Sequence, residues 1–359
     1  MWNRQRRLAA GFRMWPPTPN DCGETANMRA RRVGYLRDWV GQPIGREWLC
    51  RLAIALVALG LVGGLVAPAG ATPPPHPACF GAASRDPYHP CHNPKLAITV
   101  IPTPSEAEIT PNSPCALAEA TINLCTFGVP AAQAAGTIAL VGDSHAWHWR
   151  AAVEVAAQAM RWQALDSTRS SCPFTQGVPV LPEPKRVGCI QWNKSLLHWF
   201  RERPEISTVF TSDHPVPVKA KSGQTELAAQ VAGITAAWAA LPANVKHIVV
   251  IRDIPYMHED TLTCVEGAIA KREDAGATCA IPRGEALHRD PDVVAAERLH
   301  SSRVQVVDLT QYFCGNRLCY PVVGGALVYR DFDHLTSLFA ATVGPILLHS
   351  LGQLMQSWG

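Results

Sequence analysis

From about residue 133 to the C-terminus, short apolar runs alternate with longer stretches whose apolar residues recur at helical spacing. The short runs predict strands and the longer stretches predict helices. Strands that alternate with helices in this way predict a parallel sheet covered by helices on both faces. The predicted strands are 137–142, 163–167, 206–211, 246–252 and 303–308, and the predicted helices are 146–161, 193–203, 226–241, 291–300 and 334–355.

Three regions of different composition precede this domain, which we place at residues 133–359. Residues 1–50 hold Arg, Pro and Gly without a period, which is typical of a disordered or cytoplasmic leader. Residues 51–71 are an apolar segment, and residues 72–132 are rich in proline and contain four cysteines. We expect residues 72–132 to be an extension packed on the main domain, because they show little helical pattern outside 116–121.

The apolar segment indicates export. Leu52–Val66 carries no charge, follows a basic leader and is followed by an Ala-x-Ala motif at 69–71, which predicts a signal peptide and its cleavage site. The alternative is an uncleaved anchor, since about 20 apolar residues span a bilayer. Both interpretations place residue 72 onward outside the cytoplasm, either secreted or membrane-anchored. The leader is long for a signal peptide, so Met28 is an alternative start.

The charge distribution argues against nucleic acid as a partner. The first 71 residues contain 10 Arg, no Lys and four acidic residues, a net charge of +6, whereas the whole chain carries +3. The other 288 residues therefore carry −3 and show no stripe of Lys and Arg. No internal repeat or phosphate-binding glycine loop is visible in the sequence.

Ten of the 12 cysteines follow the apolar segment, and an even number in an exported chain predicts disulfides. Zinc is the less favoured alternative, because the chain has no Cys-x-x-Cys pair. Ten cysteines allow many pairings. Their clustering as near neighbours suggests Cys79–Cys91, Cys115–Cys125, Cys172–Cys189, Cys264–Cys279 and Cys314–Cys319.

The segment Gly142-Asp143-Ser144-His145-Ala146 joins the first predicted strand to a helix, where hydrolase folds present a nucleophile. A serine hydroxyl needs an imidazole to remove its proton and a carboxylate to orient that imidazole. Asp331 and His334, three residues apart, supply both if the chain turns into a helix there. The alternative is that Ser144 only caps the helix.

These two segments resemble the SGNH (GDSL-like) hydrolase superfamily, most closely the extracytoplasmic SGNH domain attached to acyltransferase-3 membrane proteins that O-acylate cell-surface glycans. The resemblance covers roughly residues 75 to 359. It implies a three-layer α/β/α sandwich with a central, mostly parallel five-stranded sheet, flavodoxin-like and here stapled by disulfides. It also implies Ser144 as nucleophile, His334 as general base and Asp331 as orienting acid. The matching segments are Gly142-Asp143-Ser144-His145-Ala146, Asp331-x-x-His334-Leu335-Thr336, Ser171-Cys172-Pro173, Cys189-x-x-Trp192-Asn193 and Ile251-Arg252-Asp253-Ile254-Pro255.

The chain departs from the superfamily at the oxyanion hole. No Gly-x-Asn-Asp block is present, and 211–214 reads Thr-Ser-Asp-His instead. One predicted donor is the backbone amide of Ser144. Ser171, Asn193 and Asp143 are the further candidates for oxyanion or substrate contact, with Asp143 more suited to stabilising the turn.

Several neighbouring residues admit structural interpretations that we prefer. Asp333 competes with Asp331 as the partner of His334, and is otherwise a helix N-cap. His145 and His148 are three apart and suit either metal binding or ring packing near the site, and without a third ligand we favour packing and expect no metal. Asp213-His214 suits a loop at a strand end better than a second acid/base pair. Tryptophans can stack on sugar rings, but buried tryptophans usually belong to the core. We therefore prefer a core role for Trp147, Trp149, Trp162 and Trp192.

The leading hypothesis is an exported serine esterase or O-acyltransferase. It would act on the acyl groups of a cell-surface glycan or of an acylated small substrate, and we expect the acyl group to be acetyl. It needs no cofactor. Water as the second nucleophile gives deacylation and a sugar hydroxyl gives transfer, which requires a separate membrane acyltransferase partner or another acyl donor. The alternatives are a non-catalytic carbohydrate-binding module that keeps the SGNH scaffold, and a metal-dependent site using His145 and His148.

Overall fold

The computed structural model describes residues 76–358, which are built on a seven-stranded sheet of order β1-β2-β4-β3-β5-β6-β8. The neighbours among β3, β4, β5, β6 and β8 run parallel, while β2 is antiparallel to both β1 and β4. The short pairs β7–β9 and β10–β11 lie outside the sheet. The strands are β1 (Ala116–Glu119), β2 (Leu124–Gly128), β3 (Gly136–Gly142), β4 (Trp162–Thr168), β5 (Ile206–Ser212), β6 (His247–Ile251), β7 (Ile281–Pro282), β8 (Val304–Val307), β9 (Leu318–Cys319), β10 (Val322–Val323) and β11 (Ala326–Leu327).

Helices cover both faces of the sheet. Alternate residues of β3 show why: Ile138 and Leu140 belong to one apolar cluster, and Ala139 and Val141 belong to the other. The first cluster includes residues of α3 and α10, and the second includes residues of α4, α5 and α9. The helices are α1 (Pro104–Ile109), α2 (Ser144–His148), α3 (Arg150–Ala159), α4 (Lys185–Arg201), α5 (Glu226–Ala240), α6 (Thr261–Lys271), α7 (Ala275–Thr278), α8 (Arg283–Ala286), α9 (Pro291–Leu299) and α10 (Ser337–Ser357).

The three-layer α/β/α class and the mostly parallel sheet are confirmed, and each of the five predicted strands is present. The expectation of five strands was two short, because residues 116–128 form β1 and β2 at the edge of the sheet. The helical pattern at 116–121 was misleading, since Ala116 and Ala118 occupy an exposed edge strand. The predicted helix 146–161 is divided at Trp149, and helix 193–203 in fact begins at Lys185.

All five predicted disulfides are present. They leave none of the ten cysteines after the apolar segment free to bind zinc. Cys172–Cys189 ties the loop after β4 to α4, so it restrains a segment close to the carboxyl ends of the strands.

The predicted leader at 1–50, the signal or anchor segment at 51–71 and the alternative start at Met28 lie outside the described residues. Within residues 76–358, one helix, α10, is long and apolar enough by length and composition to cross a membrane. Its buried residues include Phe339, Val343, Leu347 and Leu351, which share one face of the helix and belong to the core. In this fold α10 is therefore a core helix.

Candidate active site

The carboxyl ends of β3, β5 and β6 meet at one edge of the sheet, which is the usual binding edge of an open parallel sheet. Gly142, at the end of β3, has a φ of 142°, and a Cβ there would lie 2.7 Å from both Asp213 Oδ1 and Ser212 O. The position therefore requires glycine. Ser144 follows two residues later, as the first residue of α2.

Asp143, and not Ser144, caps α2. The Asp143 carboxylate accepts hydrogen bonds from the backbone amides of His145, at 2.8 Å, and His214, at 3.1 and 3.2 Å. Asp143 is fully buried, and that burial raises its pKa to about 6. Capping the helix was the structural alternative for Ser144, but Asp143 has that role. Ser144 is half-buried and does not cap the helix.

His334 lies between two carboxylates. Its Nδ1 is 3.0 Å from both oxygens of Asp331 and 2.9 Å from Asp333 Oδ1. Burial alone would lower the pKa of His334, but the hydrogen bond that its Nδ1–H donates to Asp331 and the adjacent carboxylate of Asp333 outweigh burial and raise the pKa to about 9. The sequence left Asp331 and Asp333 as competing partners of His334, and in the structure both contact its Nδ1.

A turn, and not a helix, brings Asp331 to His334. Asp331 Oδ1 accepts hydrogen bonds from the backbone amides of Asp333, at 3.0 Å, and His334, at 2.7 Å. The predicted helix from 334 begins only at Ser337, where Thr336 is the N-cap, so Asp333 does not cap it. Asp331 has a half-exposed side chain, whereas Asp333 is buried.

His334 and Ser144 belong to adjoining segments. The ring centroids of His145, the residue after Ser144, and His334 are 4.9 Å apart. Within residues 76–358 the side-chain hydrogen bonds of His334 go to Asp331, and none joins it to Ser144. Catalytic hydrogen bonds are often long before substrate binds.

A second His–Asp pair lies beside these residues and was not predicted. His145 Nδ1 is 2.6 Å from Asp253 Oδ1, and both side chains are 1% exposed. Tyr256 donates its hydroxyl to Asp253 Oδ2 at 2.6 Å, and His288 Nε2 lies 3.0 Å from the same oxygen. Burial opposes charge here, yet the mutual attraction raises the pKa of His145 well above its usual value and lowers that of Asp253 well below it.

The imidazoles of His145 and His148 lie close together, with ring centroids 5.0 Å apart. His148 is buried and neither ring nitrogen has a hydrogen-bond partner within residues 76–358. Burial, together with the charges of His145 and His334, holds the pKa of His148 well below its usual value. The surroundings of His148 therefore disfavour its charged form.

Asn193 and Asp213 hold the loops around the site. The Asn193 side chain accepts from Thr175 N at 3.0 Å and donates to Pro173 O at 3.0 Å. Asp213 accepts from the amides of Asp143, at 2.9 Å, and Phe174, at 3.0 Å, and burial raises its pKa well above the usual value. Both side chains thus have partners within the fold.

Ser171 lies in the turn after β4. Arg169 N donates to Gly142 O at 3.0 Å, which brings this turn against the end of β3. Ser171 is half-buried and has a φ of 58°, so its backbone adopts the left-handed conformation of a tight turn. This places Ser171 in a segment that adjoins the Ser144 turn.

The four tryptophans occupy different surroundings. Trp149 and Trp192 are buried, while Trp147 and Trp162 are half-buried. The ring of Trp147, on the same helix as Ser144, lies between two guanidinium groups, 5.7 Å from Arg150 and 5.8 Å from Arg330.

Residues 111–349 match the family model described as "SGNH domain (fused to AT3 domains)", which is more than half of the chain. The chain belongs to this SGNH family. Among solved structures, the SGNH chain is similar to the periplasmic domain of a lipopolysaccharide acetyltransferase from Salmonella ser. Paratyphi A, at 11% identity and a TM-score of 0.48, over 63% of this chain and 90% of that one. No curated protein matches it.

Proposed function

We propose that this SGNH chain is an extracytoplasmic serine esterase or O-acyltransferase whose nucleophile is Ser144. The family description supports acyl-group chemistry, because its SGNH domains are fused to AT3 domains. The observation that carries the residue assignment is the arrangement of the turn. Asp143 takes the capping role in place of Ser144, and the ring of the next residue, His145, lies 4.9 Å from the imidazole of His334, whose Nδ1 contacts Asp331 and Asp333.

In the proposed reaction, Ser144 Oγ attacks the acyl carbonyl carbon while its proton moves to His334 Nε2. Asp331 accepts from His334 Nδ1 and keeps the ring in the required tautomer. The tetrahedral oxyanion collapses and expels the alcohol, which takes the proton from His334 and leaves an acyl-enzyme. Water or a sugar hydroxyl then attacks, its proton passes to His334, and Ser144 Oγ regains a proton as it leaves.

For the oxyanion we assign the backbone amide of Ser144 and a donor from the turn that contains Ser171. That turn is attached to the end of β3 through Arg169. Asp143 and Asn193 are less suited, because their polar groups already bind backbone atoms within the fold. We give these two residues a structural role instead.

Transfer and hydrolysis share the same first half-reaction and differ in the acceptor. A cell-surface glycan is the substrate class that we propose, with acetyl as the acyl group. In transfer, a separate membrane acyltransferase would supply the acyl group, and in hydrolysis no such partner is needed. Export through the apolar segment at 51–71 would put the site where such glycans are found.

The test is acetyl release by the purified, oxidised protein from an aryl acetate and from acetylated polysaccharide, with and without a glycan acceptor. We expect Ser144→Ala to lower kcat/KM by 10³-fold or more, on the order found when a catalytic serine is removed. Ser222→Ala, at an exposed serine, is the matched control. Labelling by a serine-reactive phosphonate should disappear only in Ser144→Ala. A wild type that neither hydrolyses nor is labelled, yet binds the glycan, would favour the binding-module alternative.

A further inference from the structure

A gap between imidazole and carboxylate groups lies beside Ser144 and has no function in the proposed acyl chemistry. Asp333 Oδ2 lies 3.8 Å from His145 Nε2 and 3.7 Å from His214 Nε2. One ligand atom from each of His145, His214 and Asp333 lies within 4.8 Å of the others. These separations are too long for hydrogen bonds.

His145 Nε2 is the strongest sign that the gap takes a ligand. The His145 side chain is 1% exposed, and within residues 76–358 this nitrogen has no hydrogen-bond partner, although it faces Asp333. A buried polar atom without a partner destabilises the folded state, so native structures usually provide one. His145 Nε2 is therefore positioned to bind a ligand from outside the protein.

The charges around the gap favour a cation. Asp253 and Asp333 are 4% and 5% exposed, and within residues 76–358 their ion pairs are to histidines only, with no Lys or Arg. Buried carboxylates are costly unless they are paired or bind a metal. We propose that His145 Nε2, His214 Nε2 and Asp333 Oδ2 bind a divalent transition-metal ion, with Zn²⁺ the best fit.

The distances suit this ion. Zinc binds imidazole nitrogen at about 2.0–2.1 Å and carboxylate oxygen at about 2.0–2.2 Å, so tetrahedral ligand atoms are roughly 3.3–3.5 Å apart. The two separations from Asp333 exceed that by a few tenths of an ångström, which small side-chain rotations remove. Two imidazoles and one carboxylate leave the fourth position open, as in catalytic rather than structural zinc sites.

The surroundings supply an outer shell and an entry path. His145 binds Asp253 through Nδ1 at 2.6 Å, and metal-bound histidines usually hold a carboxylate or carbonyl through the other nitrogen. That pair fixes Nε2 as the metal-facing atom. The side chain of His214 is 36% exposed and stacks on Tyr256, so the site opens to solvent on the His214 side. The other His–Asp groupings here are already in direct contact at 2.6–3.0 Å.

The test uses the full-length, oxidised protein without a polyhistidine tag, stripped with a chelator. Titration with Co²⁺ should give one equivalent with the visible absorption of a four-coordinate ion, and Zn²⁺ should displace it. We expect His214→Ala to weaken binding at least tenfold and Asp253→Asn to weaken it roughly 10–100-fold, as outer-shell changes do. His198→Ala, at an exposed histidine outside the cluster, should bind as the wild type does.

Ser144→Ala should still bind one equivalent of Co²⁺, which separates this inference from the proposed function. Stripped wild type that takes up no stoichiometric metal would overturn the site, and so would His214→Ala that binds as tightly as the wild type. The first result would mean that His145 is only a buried imidazolium between Asp253 and Asp333. Near-UV circular dichroism on each variant separates loss of the site from loss of the fold.

Discussion

The body of the sheet and its carboxyl edge bury different chemistry. In the body, alternate residues of β3 enter two apolar layers, and a buried charge such as Asp166 on β4 is paired with Arg150 at 2.9 Å. At the edge, Asp253 and Asp333 are also buried, but their ion-pair partners within residues 76–358 are imidazoles. The body is arranged for stability. At the edge, the net charge of the His and Asp side chains depends on bound protons or ligands, as it does in functional sites.

The largest effect should come from separating the roles of the two carboxylates at His334. Asp331→Asn keeps an oxygen for the backbone amides of the turn but replaces Oδ2, which lies 3.0 Å from His334 Nδ1, with an NH2 donor that opposes Nδ1–H and so weakens the preferred tautomer of the ring. We expect kcat/KM for an aryl acetate to fall on the order of 10²–10⁴-fold with the melting temperature unchanged.

Asp333→Asn is the matched control, because its contact with Nδ1 at 2.9 Å lacks hydrogen-bond geometry while Asp331 has it. We expect a smaller loss of kcat/KM in this variant than in Asp331→Asn. The reverse order would make Asp333 the orienting acid and Asp331 only the residue that shapes the turn.

The sequence predicted the body better than the edge, for a physical reason. Strands such as β3 and β6 are apolar runs with local patterns, and the Asp331-x-x-His334 spacing is equally local. The contact of His145 with Asp253 joins residues 108 apart, and it depends on which strands are neighbours in the sheet. The one usable signal was position, since Asp253 and Asp213 each follow closely on the end of a predicted strand.

Three local misreadings have local causes. β1 was missed because its alanines and exposed Leu117 lack the alternation of a half-buried strand. α4 was predicted to begin at 193, because the charged residues after Pro184 hide its first two turns. Asp333 was interpreted as a cap, although the cap is Thr336, because both residue types are favoured there.

A stability measurement tests whether charge in the body is structural. Arg150→Met removes one partner of a buried pair while it keeps most of the side-chain volume, so Asp166 is left unpaired. We expect the free energy of unfolding at pH 7 to fall by about 3–5 kcal/mol in urea, with disulfides intact. The double variant Arg150→Met/Asp166→Leu should recover much of this loss, because a hydrophobic pair avoids the desolvation cost. A loss below about 1 kcal/mol in the single variant would show that the pair is dispensable.

The smallest expected effect is the pH dependence of that same pair. Burial raises the pKa of Asp166 from its usual range to about 6, since desolvation outweighs the attraction of Arg150. The folded state then binds the proton more tightly than the unfolded state, so this carboxyl makes the protein less stable as pH rises from about 4 to about 6. At roughly 1.4 kcal/mol per pKa unit, and with the unfolded carboxyl already partly ionised at pH 4, the wild type should lose about 2 kcal/mol relative to Asp166→Asn between pH 4 and pH 7.

Urea unfolding of both proteins at each pH measures this, and taking the difference cancels the titrations that they share. Gln163→Asn, a substitution of a non-titrating residue on β4, should differ from the wild type by the same amount at both pH values. A wild type that gains stability over Asp166→Asn as pH rises would mean that Arg150 dominates and holds the Asp166 pKa below its usual value. In that case Asp166 and Arg150 would form a stabilising ion pair even though Asp166 is buried. The body of the sheet would then differ more from the carboxyl edge, where the buried carboxylates pair with imidazoles.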